Sequence, residues 1–304
     1  MPSAAWWVWS DNLLAFGPKD IETFAENIPG AEGLAVANDG RVWVGAEDGW
    51  VYAISPQGEV AQFVKLPGRP LGIAIDREDN LFVCDWDLNA LYKANPKGEI
   101  SLFADNIPSP NFCVFDDDAN LYVTSTGSSR RMKNIHVPDG AVFRISKEGH
   151  SEVFADGLYG ANGLAIRRAE SAIYVIQTSK DDVLRLEITP DGSCGERTVF
   201  AKGLEGSPDG MAFTAEGDLL VVTGLREIIY RVRPNGAMDI FAEDANAEKM
   251  VSPANPAFGG RELNELYITN PGGNSVSRIR NVPRGQKLFH QLFRLTEIDL
   301  QLKA

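Results

Sequence analysis

The residues of this chain best suited to chemistry are four oxygen-bearing side chains that return at one place in a repeating pattern: Glu32, Asn111, Asn162 and Asp209. Each heads an apolar run that is followed by a turn and a second apolar run: EGLAVANDGRVWV, NFCVFDDDANLYV, NGLAIRRAESAIYV and DGMAFTAEGDLLVV. The pattern recurs twice more, headed by Leu71 and Ala254. Two carboxylates and two amide carbonyls make an all-oxygen set with a charge of −2. Hard cations prefer such sets. Ca2+ takes about six to eight oxygens at roughly 2.3–2.6 Å, so four protein oxygens leave room for water and a substrate atom. A single Asn or Asp at a strand start is more often a cap or a water ligand; four in register favour a metal. Calcium is the expected ion, with Mg2+ and Mn2+ as alternatives. Zn2+ ranks below them because the column has no His or Cys.

Such a column acts together only if the fold gathers it. The spacings between heads are 39, 40, 51, 47 and 45 residues, a period that means a solenoid, a propeller or an array. The first unit reads as four short strands, 33–37, 41–45, 50–55 and 60–65. They are separated by the turn sequences Asn38-Asp39-Gly40, Glu47-Asp48-Gly49 and Pro56-Gln57-Gly58. Val, Ile, Tyr, Phe and Trp dominate the runs, and no helical period stands out. Four strands per unit, repeated radially, predict an all-β, six-bladed β-propeller. The fourth strands are out of phase: one, 21–25, precedes the first unit, while the last unit, 254–280, lacks its own. The N-terminal strand is therefore expected to complete the sixth blade, within one domain spanning 1–304. In a propeller the innermost strands line a central channel, so the four heads are expected to face one another there.

Composition narrows the partners. The 304 residues carry a net charge of −13, which repels nucleic-acid phosphates and anionic lipid and leaves a small molecule as the expected partner. The oligomeric state stays open. Cys84, Cys113 and Cys194 show neither disulfide nor zinc spacing. The start, MPSAAWWVWSDNLLAFG, lacks a basic region and is a poor signal peptide, and no apolar run reaches the roughly 18–20 residues of a membrane span. A cytoplasmic location is the expectation. No GxSxG elbow is present, and His136, His150 and His290 fit no triad spacing. The flanks, 1–18 and 286–304, are expected to pack outside or at the edge of the ring. One connection, TGSSRRMKNIHVPDG from Thr126 to Gly140, is long enough to read as functional.

The motifs AEGLAV, SPNFCVFDDDANLYVT, GANGLAI, SPDGMAF and PANPAFGG…LNELYIT resemble those of the senescence-marker-protein, gluconolactonase and luciferin-regenerating family, over about residues 21–280. The resemblance implies hydrolysis of lactones, or of phosphoesters and phosphofluoridates, at one divalent ion. It carries Glu32, Asn162 and Asp209 over as ligands, with Asn111 as ligand or substrate contact. Sugar-lactone members usually have an Arg two residues before the Asn matched by Asn111 and an Asp just after it. This chain has Ser109 and Phe112 there, which points to a less hydroxylated substrate. The stretch GRPLGIAIDREDNLFVCDW is also similar to strictosidine-synthase-like propellers, which generally lack the acidic pair Glu32 and Asp209.

The chemistry expected of this site is lactone opening. The cation would polarise the carbonyl, and Asp209 would activate water or attack directly. Glu32 would serve as a ligand. Further substrate contacts are sought past the second strands and on the long loop, at Asp85, Trp86, Thr124, Arg130, Arg131 and His136. The rival readings are an organophosphate (phosphotriester) hydrolase at the same site and a non-catalytic calcium-binding propeller.

Overall fold

Local turn chemistry sets the rhythm of the strands. Asp76 Oδ1 accepts from the backbone N–H of Glu78 and Asn80, both at 2.9 Å, and Asp116 repeats this for Asp118 and Asn120 at 3.0 and 2.8 Å. Such side-chain-to-backbone bonds reverse the chain between the first and second strands of a unit. In other units Gly40 and Gly217, at φ of 87° and 93°, occupy the left-handed corner of the same hairpin.

The structure is a computed structural model and describes residues 16–128 and 137–292. Its 24 strands form six four-stranded antiparallel sheets. Blade 1 contains β2 (Leu34–Val36), β3 (Val42–Gly45), β4 (Trp50–Ile54) and β5 (Val60–Lys65). Blade 2 contains β6 (Pro70–Ile75), β7 (Leu81–Asp85), β8 (Ala90–Ala94) and β9 (Ile100–Ala104). Blade 3 contains β10 (Pro110–Phe115), β11 (Leu121–Ser125), β12 (Gly140–Ile145) and β13 (Ser151–Leu158). Blade 4 contains β14 (Ala161–Arg167), β15 (Ala172–Gln177), β16 (Asp182–Ile188) and β17 (Cys194–Lys202). Blade 5 contains β18 (Pro208–Phe213), β19 (Leu219–Thr223), β20 (Ile228–Val232) and β21 (Met238–Glu243).

Blade 6 is assembled from both ends of the repeat. It contains β22 (Pro256–Gly259), β23 (Glu265–Asn270), β24 (Ser275–Arg280) and, as its outer strand, β1 (Ile21–Glu26). Ile21 faces Ile279 and Glu22 faces Arg278. The ring is thus a six-bladed β-propeller, closed by the N-terminal strand as the phase of the repeats implies. Only short 3-10 turns interrupt the β structure among the described residues.

The core lies between successive blades. Leu71, Phe82 and Cys84 of blade 2 pack with Cys113, Phe115, Leu121 and Val123 of blade 3, and the Phe82 and Phe115 rings meet edge-on at 5.0 Å. Tyr174 of blade 4 meets Phe213 of blade 5 in the same way at 4.9 Å. Edge-on aromatic pairs add to the burial itself at these two seams.

The flanks divide. Phe16 lies on blade 5, its N–H bonded to the Phe241 carbonyl at 2.9 Å and its ring 5.1 Å from that of Phe241, which agrees with packing at an edge. The C-terminal stretch corrects the expectation, because residues 284–291 run beneath the bore. Ala215 N–H bonds the Arg284 carbonyl, Gln286 N–H bonds the Phe213 carbonyl, and Gln286 Nε2 bonds the Ile166 carbonyl, at 2.7, 2.9 and 2.7 Å. His290 Nε2 lies 3.0 Å from the Val36 carbonyl, and Asn38 Nδ2 bonds the His290 carbonyl at 3.0 Å. Phe289 packs beside Phe115 and beneath the Arg77 guanidinium, 4.0 Å from its ring centre. An otherwise open bore lined by Ile73, Phe112, Leu164, Met211 and Phe258 exposes hydrocarbon, and covering it with Leu288 and Phe289 removes that surface from water. An apolar cavity of about 90 Å³ remains above the plug.

Candidate active site at the head of the bore

The six head positions fall at the start of the inner strands in two hydrogen-bonding patterns. In blades 2 to 5 the ladder between first and second strand slips at the same step, between Pro70 and Ile73, Pro110 and Cys113, Ala161 and Leu164, and Pro208 and Met211. Leu71, Asn111, Asn162 and Asp209 each sit on that bulge. In blades 1 and 6, Glu32 N–H bonds the Gly45 carbonyl and Ala254 N–H bonds the Thr269 carbonyl, both at 2.9 Å. Bulges re-aim side chains, and the four of blades 2 to 5 fall at the same step of the ladder.

Contacts between neighbouring blades turn the column into a ring. A Cβ on Gly33 would lie 1.8 Å from the Leu71 carbonyl oxygen, and one on Gly72 would lie 2.6 Å from that of Asn111. Likewise Gly163 abuts the Asp209 carbonyl at 2.3 Å and Gly210 that of Ala254 at 2.7 Å. Asn255 Nδ2 donates to the Glu32 carbonyl at 2.9 Å and joins blade 6 to blade 1. At the remaining seam Phe112 packs with Ala161 and Leu164. The glycines after four of the heads are therefore spacers that let the backbones touch.

Each candidate ligand is held differently. Asn162 is 2% exposed, and its Nδ2 donates to Thr178 Oγ1 at 3.1 Å. That hydroxyl donates in turn to the Pro208 carbonyl at 2.8 Å, immediately before Asp209. Asn162 Oδ1 is then left buried without a hydrogen-bond partner. A buried amide oxygen without a partner is costly, and a hard cation would satisfy it. Asn111 is buried on the bulge of β10, and Asp209 is half-buried on that of β18. Glu32 is anchored through its carbonyl, which also accepts from Thr269 Oγ1 at 2.7 Å. Its carboxylate Oε2 pairs with Arg69 Nη2 at 2.5 Å. Among the described residues no group of three or more His, Cys, Asp or Glu side chains is spaced to hold a metal, so an ion here would need the asparagine oxygens as well as the two carboxylates. The donors present fit a divalent hard cation.

The substrate-contact candidates fare differently. Asp85 is buried and serves the backbone. Its oxygens accept from the N–H groups of Gly68, Asp87 and Leu88 at 2.9, 3.1 and 3.1 Å, and burial raises its carboxyl above the usual range. Thr124 is likewise buried and accepts from Phe112 N–H at 3.0 Å. For both, the structure replaces the expected substrate contact with a framework role. Trp86 is half-buried against the blade 2–3 core. Arg130, Arg131 and His136 lie outside the described residues.

Sequence reasoning missed Arg69, Thr178, Thr269 and Asn255. A signal for Arg69 was present. Two residues before the head, the other five blades carry Gly30, Ser109, Gly160, Ser207 and Ser252, all left-handed with φ between 47° and 63°. Only blade 2 places a long side chain there.

Similarity to known proteins bears on the fold and the family. The family profile described as SMP-30/Gluconolactonase/LRE-like region matches residues 105–271. The chain is 30% identical over 169 residues to the adipocyte plasma membrane-associated protein Hemomucin of Drosophila melanogaster, covering 49% of this chain and 29% of that protein. It is 25% identical over 236 residues to the gluconolactonase of Zymomonas mobilis, covering 69% and 62%. The chain thus spans less than two thirds of the length of either relative. The structure of a calcium-binding protein, regucalcin, from Agrobacterium tumefaciens superposes with a TM-score of 0.76 at 16% identity, covering 90% of this chain and 98% of that one, and shares the fold. With more than half of its length matched by the profile, the chain belongs to the SMP-30/gluconolactonase/LRE-like family.

Proposed function

We propose that the protein is a divalent-metal-dependent hydrolase that opens a lactone. The observation that carries the reading is Asn162 Oδ1, buried and without a partner in the ring that holds Glu32 and Asp209. The names of its relatives, a gluconolactonase and a calcium-binding regucalcin, support the activity and the ion, and the all-oxygen donor set favours Ca2+.

Glu32, Asn111, Asn162 and Asp209 would hold the ion, which when bound supplies Lewis-acid polarisation of the substrate carbonyl. Asp209 takes a proton from water as the water oxygen bonds to the acyl carbon. The bond from that carbon to the ring oxygen then breaks, and the departing oxygen recovers the proton, giving the hydroxy acid. Thr178 fixes Pro208, and so the base, while orienting Asn162. Ser109 and Phe112 are buried and offer the substrate no charged group, in keeping with few hydroxyls on the lactone.

The test is a panel of γ- and δ-lactones with a paraoxon-type triester, assayed with EDTA and with Ca2+ restored. Lactone opening should vanish with EDTA, return with Ca2+, and fall by about 10³-fold in Asp209→Asn, of the order seen when a general base is removed. Full turnover in Asp209→Asn and Glu32→Gln would refute the assignment. Faster turnover of the triester than of any lactone would replace the substrate class.

A further inference from the structure

We propose that Arg69 binds an anionic substituent of the substrate, so that the lactone opened at this site carries a carboxylate or a comparable anion beside its ring. The inference deepens the lactonase reading and rests on it.

Blade 2 is the exception in the repeat. Its head residue, Leu71, has no side-chain oxygen to give, as Ala254 of blade 6 has none, but only blade 2 carries a guanidinium two positions earlier, where the other five blades carry Gly or Ser in a left-handed turn. The loop fixes the backbone on either side of Arg69. Asp85 Oδ2 accepts from Gly68 N–H at 2.9 Å, Trp86 N–H bonds the Arg69 carbonyl at 3.0 Å, and a Cβ on Gly68 would stand 2.1 Å from Asp85 Oδ1.

Arg69 joins the ring through Glu32, yet its side chain is 37% exposed against 18% for Glu32. A guanidinium has five N–H donors in a planar fork. One hydrogen bond goes from Nη2 to Glu32, so the exposed end of the fork retains donors for a second acceptor. Charge points the same way. A dication would offset the charges of Glu32 and Asp209, and the half-exposed guanidinium of Arg69 would then add positive charge at the head of the bore. An anionic group on the substrate would meet that charge with charge-assisted hydrogen bonds.

The test compares two lactones alike except at one substituent, 5-oxotetrahydrofuran-2-carboxylate and γ-valerolactone, which carry a carboxylate and a methyl group. The wild type should favour the carboxylate in kcat/KM by about 10- to 100-fold, the range of one hydrogen bond to a charged group. Arg69→Gln should abolish that preference and Arg69→Lys should keep part of it. In parallel, calorimetry measures 3-oxocyclopentane-1-carboxylate, a ketone analogue with no ester bond to cleave, which should bind Arg69→Gln at least about 10-fold more weakly than wild type. No preference in the wild type, or an unchanged preference and affinity in Arg69→Gln, overturns the proposal. If the wild type opens neither lactone, the hydrolase reading falls and calorimetry alone decides the role of Arg69.

Discussion

Thr178 and Asn162 form a fixed pair at the seam between blades 4 and 5: the asparagine amide donates to the threonine hydroxyl at 3.1 Å, and the hydroxyl donates in turn to the Pro208 carbonyl at 2.8 Å. The pair decides which end of the amide is left over, and it is the oxygen. One hydroxyl thereby orients a ligand on one blade and steadies the strand carrying Asp209 on the next.

Replacing Thr178 should therefore weaken metal binding without touching a ligand. Thr178→Val keeps the shape and removes both hydrogen bonds, and calcium affinity by titration calorimetry should fall about 10- to 100-fold, the usual effect of losing a group that orients a ligand. Thr178→Ser should bind nearly as well as wild type. Equal affinity in Thr178→Val and wild type would show that the pair does not orient the ligand.

The spacer glycines predict a loss of stability that begins at the seams. Gly33→Ala drives a methyl group into the Leu71 carbonyl, and because that contact is backbone, the blades must part. Overpacking of this kind costs about 1–3 kcal/mol, a fall of several degrees in Tm for a domain of this size. Gly157→Ala serves as the control for space, since nothing lies within 4 Å of its added Cβ, although its φ of 71° adds backbone strain of its own. Circular dichroism melts of the two should separate a seam clash from local strain: calcium affinity should drop in Gly33→Ala, beside Glu32, and persist in Gly157→Ala.

His290 sets a pH dependence in the plug. It is 4% exposed, and burial pushes its imidazole below the usual histidine range; the bond to the Val36 carbonyl and the charges of Asp79 and Asp76 oppose this more weakly. The carbonyl only accepts, so Nε2 carries a proton. A folded pKa below the unfolded value of about 6.5 means that the unfolded chain binds more protons as pH falls. The stabilisation is complete above about 6.5 and is lost as pH drops from there towards the folded value. Melting curves from pH 8 to 5 should slope downward below about 6.5 in wild type and less so in His290→Gln. Parallel slopes would show that the plug histidine does not titrate on unfolding.

The architecture was legible because it rests on repetition: six apolar runs with Asx or Gly turns, and a strand before the first unit that the last one lacks. The column was legible for the same reason, as Glu32, Asn111, Asn162 and Asp209 share a register that sequence alone displays. The residues that hold the column were not. Thr178 reaches Pro208 across a seam, and Asn255 reaches Glu32 from 223 residues away. No local pattern encodes such contacts. Asp85 and Thr124 were misread because a polar residue at the end of a second strand looks the same in sequence whether it faces substrate or its own backbone. The plug was unreadable for a related reason: Leu288 and Phe289 are apolar for a bore made by all six blades, not for any neighbour in the chain.

The central claim is that the ring gathers its oxygens about one cation, and crystals soaked in manganese test it most directly. Anomalous difference maps should show a single strong peak at the head of the bore, within coordination distance of Glu32, Asn162 and Asp209 oxygens and lost in Asp209→Asn. A bore with no peak at saturating manganese, or a peak bound only to surface carboxylates, would contradict the account.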